Sequence, residues 1–158
     1  MRAQLLVEGL SRLHHVNHVD MSFNVISDVG ARALASLVVH CTTLTTLTLV
    51  DNNIRAAGAR ALAHALAVDT CALRSLDLRL NYIGDEGVTQ LCAVLTVHNR
   101  TVTSLNISSN LCTVASASAL ADMLRHNDVI TSVDVTANHL DVSDNLRHLY
   151  VDFCGLTC

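Results

Sequence analysis

The segment Leu73 to Ile83, LRSLDLRLNYI, places its residues in the order apolar-x-x-apolar-x-apolar-x-x-Asn-x-apolar. This is neither the strict alternation of a half-buried strand nor the three-and-four recurrence of an amphipathic helix. The same frame returns as VNHVDMSFNVI (16–26), LTTLTLVDNNI (44–54), VTSLNISSNLC (102–112) and ITSVDVTANHL (130–140). Its asparagines, Asn24, Asn52, Asn81, Asn110 and Asn138, stand 28, 29, 29 and 28 residues apart. A constant period of this size marks a stacked array of repeats.

Inside a unit the frame predicts a short strand, with Leu76 and Leu78 pointing inward and Asp77 and Arg79 outward. Leu73 and Ile83 close the two ends of that interior. The asparagine amide is expected to bond turn backbone that no strand ladder reaches. A helix follows, marked by the i, i+4 pairs Leu34/Val38, Leu62/Leu66, Leu91/Leu95 and Leu120/Leu124. Gly30, Gly58 and Gly87 lie six residues after their asparagines, where later units place Ser116 and Asp144. Alanines beside them, such as Ala31, Ala35, Ala59 and Ala63, suit close helix–helix approach. Helix starts are expected near Ser27, Arg55, Gly84, Thr113 and Asp141, four of these being good N-cap residues. Asp85 and Glu86 sit where a helix dipole favours anions.

These frames, with the helices GARALASL (30–37) and GARALAHAL (58–66), resemble the leucine-rich repeat family in its long, ribonuclease-inhibitor-like subclass. The resemblance covers roughly residues 13–145. It implies an α/β solenoid of about five repeats, a partial horseshoe with a parallel β-sheet on the concave side and α-helices on the convex side. The physics agrees: one unit cannot bury its own leucines, so stacked neighbours make the core. Strands stack about 4.8 Å apart and helices about 10 Å, so stacking both forces curvature. One domain over 1–158 is expected: a partial repeat or cap helix at 1–15, then repeats at 16–43, 44–72, 73–101, 102–129 and 130–158. Leu6 and Leu10 fit the first of these, as if the chain began inside a repeat. Leu146, Leu149, Tyr150 and Phe153 give the last repeat the character of a C-terminal cap.

Composition narrows the function. The chain is 51% hydrophobic and 15% charged, which excludes disorder. Aromatics make up 3% and Trp is absent, so the core is aliphatic. A net charge of −4 without a basic run argues against a nucleic-acid partner. No stretch approaches 18 apolar residues, so no transmembrane helix is expected. Six cysteines with no signal peptide and no CxxC pair point to free thiols in a reducing, cytoplasmic setting. A Cys41–Cys71 disulfide would require oxidation, and Cys154 and Cys158 form a CxxxC without an activating neighbour. His14, His15 and His18 lack the further ligands a zinc site needs. NRT (99–101) and NIS (106–108) match the glycosylation pattern, which has no meaning without secretion. No phosphate loop, nucleophile elbow or HExxH is present, so neither an enzyme nor a cofactor is expected.

The outward strand positions supply the candidate site. On the concave face the expected partner-binding residues are His18, Asp20, Thr48, Val50, Asp77, Arg79, Asn106 and Asp134. An acidic stripe of this kind also keeps an exposed sheet soluble. Phe23 and Leu80, just before their asparagines, are candidate apolar contacts on the lateral rim. The family resemblance implies a non-enzymatic module binding an unidentified protein through its concave or lateral surface. The alternatives are self-assembly through the terminal repeats, as a fragment of a longer array, and regulation of a small GTPase.

Overall fold

The structure is a computed structural model that describes residues 15–140, together with Gly9. The expected terminal cap helices and His14, Asp141, Asp144, Cys154 and Cys158 lie outside the described residues.

Five three-residue strands alternate with helices: β1 (His18–Asp20), α1 (Ser27–His40), β2 (Thr46–Thr48), α2 (Ala56–Leu66), β3 (Ser75–Asp77), α3 (Gly84–Val97) and β4 (Ser104–Asn106). A turn of 3₁₀ helix (Val114–Ser116) then leads into α4 (Ala117–His126) and β5 (Ser132–Asp134). The strands form one parallel sheet in sequence order, β1-β2-β3-β4-β5. The register matches the sequence frame: Val19, Leu47, Leu76, Leu105 and Val133 pair in one row. That row is the buried centre of every strand. Successive helices pack on one another, α1 on α2, α2 on α3 and α3 on α4.

The interior between sheet and helices is continuous and aliphatic, including Leu44, Leu49, Ile54, Leu73, Leu78, Ile83, Val102 and Cys112. Each fully buried leucine contributes on the order of 2 kcal/mol. The asparagines stand in a ladder. The Asn81 Oδ1 accepts from the previous unit's Asn52 N (3.1 Å) and Ile54 N (3.0 Å). Its Nδ2 donates to Leu49 O and Leu78 O, both at 2.8 Å. Asn52, Asn110 and Asn138 reach back to the preceding unit in the same way.

Helix capping departs from expectation. Of Ser27, Arg55, Gly84 and Thr113, only Thr113 caps with its own side chain, accepting from Ala115 N at 3.2 Å. Ser27 and Gly84 instead adopt left-handed backbone (φ 55° and 62°), while Arg55 and Thr113 are extended. The caps on the second and fourth helical segments come from the preceding unit. Asp28 Oδ1 accepts from Arg55 N (2.8 Å) and Gly58 N (2.9 Å). Asp85 serves Thr113 likewise. Units one and three therefore share one geometry and units two and four another, so the structural period is two units.

Candidate interaction surface

The open face of the sheet carries the predicted middle column in register: Asp20, Thr48, Asp77, Asn106 and Asp134. Its acceptors are turned onto their own strands. Asp20 Oδ1 accepts from Ser22 N (2.9 Å) and Ser22 Oγ (2.6 Å), which hold this carboxyl below the ordinary carboxylate range. Asp134 does the same with Thr136, and Asn106 with Ser108. Asp77 Oδ1 accepts from Arg79 N (3.1 Å), and its Oδ2 lies 3.5 Å from Arg79 Nε. Such an exposed pair contributes well under ~1 kcal/mol. Asn106 Nδ2 bridges to Asp134 Oδ2 at 3.2 Å. His18 and Asp20 are exposed, whereas Thr48, Asp77, Asn106 and Asp134 are half-buried.

Val50 does not belong to this surface. It is 1% exposed and offers a partner nothing but its neighbours. The chain there has passed the end of β2, and Phe23 N and Asn52 Nδ2 donate to the Val50 carbonyl at 2.7 and 3.0 Å. Ser108, its counterpart two units on, is buried as well, although its Oγ still donates to the outward Asn106 Oδ1 at 2.8 Å, so this position is covered in the even units.

The lateral rim has a different character. In every unit the residue before the asparagine is left-handed: Phe23, Asp51, Leu80, Ser109 and Ala137, with φ between 52° and 58°. That backbone is uncommon for bulky side chains. Here inter-unit bonds hold it, Phe23 N to Val50 O at 2.7 Å and Leu80 N to Ser108 O at 3.0 Å. The turn throws Phe23 (73% exposed) and Leu80 (48%) into solvent. Val25 and Tyr82, each just after its asparagine, are exposed too, as are Val29, Leu111 and Val114. Phe23 and Leu80 were legible in the sequence; Val25 and Tyr82 were not singled out, although both fill the free position of the Asn-x-apolar motif. Beside them a groove of about 550 Å³ is lined by Val25, Ser27, Asp28, Val29, Arg32, Asn53, Arg55 and Tyr82.

Among the described residues no three His, Cys, Asp or Glu side chains converge as metal ligands, and no helix is long and apolar enough to cross a membrane. Cys41, Cys71, Cys92 and Cys112 are buried free thiols, so Cys41 and Cys71 are not joined.

The family described as "Leucine Rich repeat" matches residues 12–35, 40–63, 71–92 and 98–121, more than half of the chain. Human NACHT, LRR and PYD domains-containing protein 12 is 31% identical over 90% of this chain, and the mouse protein 14 of that series is 30% identical over 98%. The chain spans only 15% and 17% of those relatives' lengths. Among solved structures, leiomodin-1 Actin-Binding Site 2 superposes with a TM-score of 0.75 at 17% identity, covering 89% of this chain and 79% of that one. At that identity the likeness concerns the fold. Frame, ladder and matches agree, and the chain belongs to the leucine-rich repeat family, built as an α/β solenoid.

Proposed function

We propose that this chain is a non-enzymatic protein-interaction module of the cytoplasm, and that it engages its protein partner through the lateral rim. The observation that carries this reading is the exposed apolar row of Phe23, Val25, Leu80 and Tyr82, in which Phe23 and Leu80 are held out by left-handed backbone. Interfaces draw their binding energy from such anchors, above all aromatics. The open face of the sheet supports this by contrast, since its acidic column is bonded to itself. His18, Asp20, Thr48, Asp77, Arg79, Asn106 and Asp134 then form the polar face of the sheet beside the contact and outside it.

Affinity capture with the intact chain tests the assignment. Partners held by the wild type are expected to be lost from a Phe23→Ser/Leu80→Ser/Tyr82→Ser variant and kept by an Asp77→Ala/Arg79→Ala variant. The reverse pattern would move the site to the sheet. Sedimentation separates this reading from self-assembly, which requires mass to rise with concentration.

A further inference from the structure

We infer that the groove across the first three units receives an acidic peptide segment that also carries apolar side chains. The inference rests on the rim reading above and specifies the partner's chemistry. The apolar part of the groove is Val25, Val29 and Tyr82, which are 81%, 61% and 51% exposed. Its cations are Arg32 and Arg55, both exposed. Neither guanidinium makes a hydrogen bond or ion pair among the described residues, where the ion pairs are Arg79–Asp77 and Arg125–Asp122. Asp28 is the single acid in the lining, and its Oδ1 already accepts from Arg55 N and Gly58 N. The groove is thus a locally positive spot on a chain of net charge −4.

A guanidinium presents a planar fork that matches a carboxylate with two parallel hydrogen bonds. An apolar side chain between two carboxylates would cover Tyr82 and the valines while its flanking acids meet the arginines. The backbone beneath the lining is fixed by stacking: Tyr82 N donates to Ile54 O at 2.8 Å, and Arg55 N is held by Asp28. The groove's backbone therefore needs little rearrangement to bind, which favours affinity. The opposite chemistry, a basic segment, would set like charge against Arg32 and Arg55.

Fluorescence anisotropy with the intact chain provides the test, using labelled synthetic peptides of alternating Glu and Leu, Lys and Leu, or Glu and Ser. The Glu–Leu peptide is expected to bind, more weakly as salt rises. It should bind at least about tenfold less well to Arg32→Ala/Arg55→Ala and to Tyr82→Ala, and unchanged to Asp77→Ala/Arg79→Ala. The variants alter exposed side chains, apart from the half-buried Asp77, and circular dichroism checks their folding. Absence of Glu–Leu binding overturns the inference, and so does equal binding of either other peptide or indifference to the arginine variant. If Glu–Leu and Lys–Leu peptides bind alike and both depend on Tyr82, the charge assignment fails while the rim reading stands. The rim reading itself fails only when captured partners ignore Phe23, Leu80 and Tyr82.

Discussion

Asp85 of the third unit holds Thr113 of the fourth by two bonds, from Thr113 N to Oδ1 and from Thr113 Oγ1 to Oδ2, each 2.7 Å long. Asp28, 57 residues earlier, holds Arg55 N and Gly58 N. The carboxylate that begins one helix thus secures the start of the next. Each such bond crosses a unit boundary, so the array resists separation of its units as well as fraying of its helices.

Replacing Asp85 by Ala is expected to destabilise the fold by about 1 kcal/mol, the usual effect of losing an N-terminal cap. Burial pushes the Asp85 carboxyl up, but the hydrogen bonds from Thr113 N and Thr113 Oγ1 help to outweigh it and leave it below the ordinary carboxylate range. A lowered folded-state value stabilises above the unfolded value, about pH 4, and that contribution disappears as pH falls through the folded value. Urea unfolding should therefore show a full gap between wild type and variant at neutral pH that closes in acid. A gap independent of pH would show that the carboxylate charge is not what holds Thr113.

The asparagines should not be equivalent. Asn81 is 2% exposed and bonds two units, whereas Asn24 is exposed and, among the described residues, donates only to its own turn, at Met21 O and Ser22 O. Asn81→Ala leaves buried backbone groups such as Asn52 N and Ile54 N without their acceptor, which costs about 2–3 kcal/mol or more. Asn24→Ala should cost less than about 1 kcal/mol, since water replaces what is lost. Denaturant midpoints of the two variants decide the matter, and equal losses would contradict the ladder's inter-unit role.

The strands, the buried leucines and the asparagine ladder were legible because each recurs every 28 or 29 residues. The two-unit alternation was not, since it shows only when a unit is compared with the next but one, as in Asp28 against Asp85. Val50 illustrates the consequence: a position open to solvent in the odd units, as at Arg79, is covered in the even units. A second set of structural amides was also hidden. Asn99 donates to Leu66 O (2.8 Å) and accepts from Val102 N (2.9 Å). Asn127 does the same for Leu95 O and Ile130 N. Thr70, three positions before Leu73, makes only the first kind of bond, donating to Val39 O at 3.3 Å. The full pair of bonds occurs in two units only, so a search for letters common to every unit passes over it. The signal lay in the 28-residue spacing of Asn99 and Asn127, each three positions before the first apolar residue of its frame.

A helical glycine ordinarily becomes more stable as alanine, by about 1 kcal/mol. Gly87 should reverse that sign. A methyl group there would overlap Ile83 Cγ2 and stand 3.0 Å from Ala59 Cβ and 3.2 Å from the Ala56 backbone. Overpacking of this kind costs about 1–3 kcal/mol. The fourth unit has Ser116 at this position, and there the chain winds through a 3₁₀ turn with Ser116 Oγ donating to Thr113 O at 2.9 Å. Thermal unfolding of Gly87→Ala should show a lower midpoint than wild type; a higher one would mean that α2 and α3 can part without loss.

Cys92 and Cys112, from the helix of one unit and the interior end of the next unit's frame, are 1% and 0% exposed. Burial, reinforced by Cys112, pushes the Cys92 thiol up to about 12; burial and the nearby Asp85 charge push Cys112 up to about 12 as well. The thiolate is the reactive form, and at pH 8 such a group holds roughly one part in ten thousand of it. Raised values and burial act together, so the folded protein should leave both thiols unmodified by a thiol-specific disulfide reagent. Guanidinium should release both at once, because the two lie in one continuous core and have no separate path to solvent. Their rate of modification in water then measures how often the third and fourth units open. Rapid labelling of either thiol in the native state would mean that the leucine interior is not closed at that junction.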